Sequence, residues 1–153
     1  MTALSLSLVL GQGCSAQDWP LSRPRLKRLV LASLPADCDT ATIAIVVVGR
    51  AEGRRLNREF RQKDYATNIL TFPYAGAPDV RADLVICVPV AKSEARAQRR
   101  PLDHHLAHLV VHGTLHACGM DHQDNAEAEQ MEALETAVLR RFRIADPYCE
   151  HSR

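Results

Sequence analysis

Thr40-Ala-Thr-Ile-Ala-Ile-Val-Val-Val-Gly49 is β-branched and almost wholly apolar, with Ile43, Ile45, Val46, Val47 and Val48 in close succession. That pattern predicts a central strand covered on both faces of its sheet. Downstream, Ala51–Arg61 reads as a helix with Leu56 and Phe60 four apart on its inner face and Arg54, Arg55, Arg58 and Arg61 elsewhere around it. Upstream, the Pro-bounded stretch Pro20–Leu34 repeats Leu21, Leu26, Leu29, Val30 and Leu34 at helical spacing with basic residues between them. Before it, Ser5 and Ser7 alternate with Leu4, Leu6, Leu8 and Leu10, as in a half-buried strand. This segment lacks the basic start of a secretory leader, so a strand is expected there.

The same reading extends to the other end. Asn68–Phe72 and Asp83–Val88 suit an antiparallel pair, separated by a turn over Pro73–Val80. Val90–Arg99 is helical in pattern, and Pro101 suits the first turn of a helix running to about Cys118, with Gly119 as its C-terminal cap. Ala126–Phe142 is a last amphipathic helix with Met131, Leu134, Val138 and Leu139 on its apolar side. The expectation is one α+β domain over residues 1–153, with about five helices packed on a small mixed four-stranded sheet.

A chain of 153 residues can bury a core that needs neither disulfides nor oligomerisation, and 46% hydrophobic with 24% charged residues is ordinary globular usage. No apolar run approaches the ~20 residues of a membrane span, so a soluble protein with no membrane partner is expected. Cys14, Cys38, Cys87, Cys118 and Cys149 are odd in number, widely spread and form no C-x-x-C pair, which fits a reduced, cytoplasmic compartment. The net charge of +1 hides an asymmetry. Arg23 to Lys63 carries ten Lys or Arg against four acids, whereas Asp121 to Glu150 carries eight acids against three arginines. A basic face is a footprint for a polyanion, although charged helix surfaces are common.

Chemistry concentrates in His112-Gly-Thr-Leu-His116-Ala-Cys-Gly119-Met-Asp-His122. Residues four apart share a helix face with Cβ atoms roughly 5–6 Å apart, so His112 and His116 can reach one ion. Once Gly119 ends the helix, the chain can double back to bring His122 to a third corner. Three neutral imidazoles leave a fourth position open, as in catalytic zinc sites, and other divalent transition metals also suit such donors. His104 and His108 extend the stripe backwards, yet His108 and His116 lie about 12 Å apart along a helix and cannot share one ion. His108 is a core residue or one that supports a ligand from behind. Cys118 points away from His116 and reads as core. Asp121 either closes a turn or orients a ligand.

The spacing matches the metzincin zinc signature H-E-x-x-H-x-x-G-x-x-H at every histidine and at the glycine. It departs from it where the general-base glutamate should stand, because that position is Gly113. Peptide hydrolysis is therefore disfavoured, leaving another hydrolysis or a non-catalytic metal.

The three-histidine motif, with Leu56-Asn-Arg-Glu-Phe-Arg61, Thr67-Asn-Ile-Leu-Thr-Phe-Pro73, Ala82-Asp83-Leu-Val-Ile and Glu132-Ala-Leu-Glu135, resembles the YbeY family of bacterial endoribonucleases. The likeness runs from about residue 40 to Tyr148. It departs from the family where Ala82 replaces the usual glycine and where Met120 replaces a frequent aromatic. It implies a metal-dependent, single-strand-specific endoribonuclease acting in ribosomal RNA processing, notably at the small-subunit 3′ end, and in ribosome quality control. It further implies His112, His116 and His122 as ligands of one zinc ion per chain, Arg61 as the functionally important arginine, and ribosomal RNA, the ribosome or small-subunit assembly proteins as partners. A guanidinium offers planar paired donors to a phosphate, so Arg61 is either a phosphate clamp or a structural arginine at a helix end. Asn57, Thr67 and Asn68 match the family pattern, and turn or capping roles explain them equally well. Alternative readings are a ribosome-assembly factor whose metal is structural, and a zinc peptidase without its glutamate.

Overall fold

The strand at the centre of the sequence argument forms β2, Thr40–Val48, and lies inside a four-stranded sheet of order β1-β2-β4-β3. The computed structural model describes residues 2–120 and 123–148. β1 (Ala3–Leu10) and β4 (Asp79–Cys87) flank β2 in parallel, and β3 (Ile69–Ala75) closes the sheet antiparallel to β4. Among the described residues five α-helices pack with the sheet: α1 Arg23–Ser33, α2 Arg50–Arg61, α3 Val88–Ala97, α4 Leu102–Ala117 and α5 Asn125–Arg141. The order and class match the expectation of an α+β domain. Among the described residues no helix is long and apolar enough to cross a membrane.

The two faces of the sheet are unequally covered. Ala41, Ile43, Ile45 and Val47 point into the main core with Leu84 and Ile86 of β4, against Leu26, Leu29 and Val30 of α1, Leu106 and Val110 of α4, and Met131 and Leu139 of α5. On the other face Thr40 and Thr42 are exposed and Val46 is half-buried, and a smaller cluster of Val48, Leu70, Val85 and Cys87 receives Leu56, Phe72 and Val90. The expectation of burial on both faces thus holds only at the C-terminal end of β2. α4 is the central helix, in contact with α1, α3, α5, β3 and β4.

Several boundaries differ from the sequence reading for local reasons. α1 starts at Arg23 rather than Pro20, because Ser22 accepts a hydrogen bond from the Arg25 amide at 3.3 Å and Pro24 sits in the first turn, where its missing N–H costs nothing. β3 and β4 run further toward each other than the expected turn over Pro73–Val80 allows. Pro73 is tolerated because β3 is an edge strand, and the ladder shifts register between Pro73 and Ala75. The opposite edge, β1, has its Leu6 carbonyl covered by Arg23, whose Nη2 donates to it at 2.6 Å.

Two helix faces are rotated from their expected positions. In α2 the buried residues are Gly53 and Asn57, Leu56 is half-buried, and Phe60 is 59% exposed. At Gly53 a Cβ would stand 3.3 Å from the Cys87 sulfur, so that turn of the helix packs closely on the sheet, while Phe60, two turns on, lines the cleft described below. In α5 Leu134 is 41% exposed and the position beside it, Glu135, is fully buried.

Candidate metal centre and substrate cleft

α4 presses on the sheet through Gly113. A Cβ there would lie 2.7 Å from Ile69 Cδ1 and 3.2 Å from both terminal methyls of Leu84. The glutamate that the metzincin signature requires at this position would force the ends of Ile69 and Leu84 to shift. With Gly113, Val110 and Ala117 facing inward, His112 and His116 emerge beside the sheet, their ring centroids 6.1 Å apart and inclined by 64°. The helix then ends as the sequence predicts: Gly119 has φ +94°, its N–H donates to the His116 carbonyl at 3.0 Å, and the Met120 N–H donates to the Leu115 carbonyl at 3.2 Å. This paired closure turns the chain sharply and packs Met120 with Leu115 on the core. Asp121 and His122 follow immediately and lie outside the described residues. Among the described residues no three His, Cys, Asp or Glu side chains group as a metal site would require.

Behind His112 lies a feature that the sequence reading missed. Glu135 of α5, with a side chain 0% exposed, receives His112 Nδ1 at 2.7 Å on one oxygen and His108 Nε2 at 2.8 Å on the other, where the Tyr148 hydroxyl also donates. Burial opposes ionisation of Glu135, but hydrogen bonds from His108, His112 and Tyr148 outweigh it and hold the carboxyl down at about 2. An ionised carboxylate only accepts, so the ring nitrogen facing it carries the proton. His112 is thereby held with Nδ1 protonated and Nε2 as its acceptor, the tautomer and ring orientation that a carboxylate behind a metal-ligating histidine imposes. Desolvation pushes His108 down, which favours its neutral form. His108 is thus linked to His112 through the carboxylate of Glu135. The sequence carried a signal for Glu135: an acid within the apolar stripe of Met131, Val138 and Leu139.

His112 and His116 open onto a cleft of about 680 Å³ between α2, β3 and α4, with Arg61, Asn68 and Gln123 among its lining residues. Arg61 stands in the last turn of α2, where the helix dipole favours a cation, and Gln62 closes that helix in the left-handed region at φ 60°. Its neighbours are occupied: Arg54 grips Asp64 at 2.8 and 2.9 Å, Arg58 lies 3.8 Å from the same carboxylate, and Arg55 pairs with Glu59 at 3.2 Å. Among the described residues Arg61 forms no salt bridge. Asn68 donates to Glu94 at 3.0 Å, and buried His105 meets the same carboxylate at 2.9 Å, so Asn68 is tied down from behind. Asn57 is structural, its amide donating to the Tyr65 carbonyl at 2.8 Å. Cys118 is half-buried against the core, as expected, and burial pushes its thiol up to about 11.

Comparison with known proteins places this geometry in a family. The family model described as Endoribonuclease YbeY matches residues 23–143. The curated Endoribonuclease YbeY of Bordetella pertussis is 54% identical over 156 residues, covering 96% of this chain and 97% of its own. That of Methylibium petroleiphilum is 54% identical over 145 residues, covering 95% and 94%. That of Paracidovorax citrulli is 48% identical over 153 residues, covering 98% and 99%. A solution structure of a Thermotoga maritima protein shares the fold at TM-score 0.59 and 22% identity, covering 98% of this chain and 100% of that one. On the family match and on identities near one half over almost the full length, this chain belongs to the endoribonuclease YbeY family.

Proposed function

We propose that this protein is a metal-dependent endoribonuclease that cuts single-stranded RNA and acts in ribosomal RNA maturation, including the small-subunit 3′ end. The observation that carries the reading is the juxtaposition in one cleft of His112, locked by Glu135 in the tautomer a metal needs, with Arg61, which pairs with no acid among the described residues. His112 and His116 fit a zinc-type ion as donors, and His122 is the third ligand in this proposal. Such an ion supplies a Lewis acid for a phosphate oxygen and lowers the pKa of a water. Arg61 binds and orients the phosphate with paired donors and balances the charge that develops on it. Asn68, immobilised by Glu94, lines the floor beside the reacting group. The names of the relatives support RNA as the substrate, and the basic run from Arg23 to Lys63 supports a polyanion. Peptide cleavage is disfavoured because the general-base position holds Gly113, packed against Ile69 and Leu84, and supplies no carboxylate. The free thiols of Cys14, Cys38, Cys87 and Cys118 support a reducing, cytoplasmic setting, and small-subunit assembly proteins are the proposed partners.

The test is metal content measured beside cleavage of a ribosomal RNA fragment, for wild type, His112→Ala and Arg61→Ala. About one zinc per chain and cutting are both lost in His112→Ala. Arg61→Ala keeps its metal and fold while cleavage falls roughly 100- to 1,000-fold, the loss typical of removing one transition-state donor. Cutting by metal-free wild type would overturn the metal reading, and full activity of Arg61→Ala would overturn the phosphate clamp.

A further inference from the structure

Phe60 is the cleft residue that the core does not use. Aromatic rings are the largest apolar groups a core can bury, yet this one is 59% exposed. It is not loose: Phe72 of β3 meets it edge to face, with centroids 5.2 Å apart and ring planes at 80°. Both rings line the cleft of His112 and His116, and the residue after Phe60 is Arg61. Among the described residues the other exposed aromatics, Tyr65, Tyr74 and Tyr148, are absent from that lining; the Tyr74 hydroxyl is engaged by Asp83 at 2.9 Å and that of Tyr148 by Glu135.

We propose that Phe60, braced by Phe72, is the stacking platform for an unpaired nucleobase adjoining the phosphate that Arg61 holds. The inference rests on the reading of the cleft as an RNA site and adds how the substrate's form is recognised there. A cation beside an exposed ring is what a nucleotide presents in complement, a phosphate beside a flat base, and every base offers a π face regardless of sequence. The surrounding charge favours this occupant over an apolar peptide side chain, since α2 carries Arg50, Arg54, Arg55, Arg58 and Arg61 against Glu52 and Glu59. A base inside a duplex already has both faces covered by its neighbours. Only an unstacked strand can give one to Phe60, so the platform selects single-stranded RNA without reading its sequence.

The experiment compares kcat/KM of the metal-loaded full chain on a single-stranded oligoribonucleotide and on versions lacking one base at successive positions around the cut. Wild type is set beside Phe60→Ala, Phe60→Leu and Phe60→Trp. On the intact strand, Phe60→Ala and Phe60→Leu lose about 5- to 150-fold, the range for one base–aromatic stack, while Phe60→Trp retains activity. At one abasic position wild type falls to the level of Phe60→Ala, and that variant loses nothing more. The platform is overturned if Phe60→Ala stays within twofold of wild type on the intact strand while cutting persists. It is equally overturned if its loss is the same on every abasic strand, the mark of a general structural defect. Wild type that cuts no RNA at all removes the nuclease reading and the platform together, so the two failures are distinguishable.

Discussion

Glu135→Gln is nearly isosteric and tests whether the buried carboxylate sets the chemistry of His112. The two oxygens have different loads: one takes His108 and Tyr148, the other takes His112 alone at 2.7 Å. An amide must turn its NH2 toward one side. Facing His108 and Tyr148 it would oppose two donors, so the less costly orientation places it against His112 Nδ1. That nitrogen must then become the acceptor, and the proton moves to Nε2, the atom meant for the metal. Loss of such a supporting contact typically weakens metal binding 10- to 100-fold, or about 1.4–2.7 kcal/mol. Stability without metal should change less, about 1–2 kcal/mol, because weaker hydrogen bonds are offset by no longer burying a charge. Zinc affinity would be measured by competition with a chromogenic chelator, and the tautomer by long-range proton–nitrogen NMR of labelled histidine. A folded variant that binds zinc within twofold of wild type, with the His112 tautomer unchanged, would refute the reasoning.

Other consequences can be checked separately. Gly113→Glu, which completes the metzincin signature, should destabilise the fold by about 1–3 kcal/mol in urea titration and confer no proteolysis, because the Ile69 and Leu84 side chains must shift and a charge is brought against them; wild-type stability would contradict the packing argument. Glu94 is held below its ordinary range chiefly by the bond from His105, so its stabilising effect is present above about 4.5 and is lost as pH falls toward the lower folded-state value. Glu94→Gln should therefore cost about 0.5–1 kcal/mol at pH 7, allowing for partial exposure, with the gap to wild type narrowing under acid; a gap independent of pH would count against it. With its thiol raised to about 11, Cys118 should alkylate far more slowly at pH 8 in the native protein than in urea, read by peptide mass mapping; equal rates would contradict its burial.

Most of the architecture was legible because apolar period reports which side of an element faces the core. The alternation of Leu4, Leu6 and Leu8, the β-branched run of β2 and the glycine after α4 all led to the observed elements. Period does not say which residue on a face comes nearest to its neighbour. In α2 it is Gly53 that packs closely on Cys87, while Phe60 is exposed against the expectation of an inner face. The i, i+4 spacing correctly put His112 and His116 side by side. Glu135 stood in a quoted motif, but its role was not legible, because a buried ion depends on partners 27 and 23 residues away in the chain, a proximity created only by packing α4 on α5. The assignment of His122 falls outside the described residues.

The two open margins of the sheet bear on how the protein behaves in a crowded cell. Strands with bare outer edges invite other chains to add on, the route to aggregation and fibrils. Here one margin has a proline, which offers no amide hydrogen, at Pro73 and a slipped register beside it, while on the other Arg23 occupies the carbonyl of Leu6. Each device spoils the regular row of donors and acceptors that an incoming strand would need. A member of an RNA-cutting family is thereby guarded at both margins against adhering to itself.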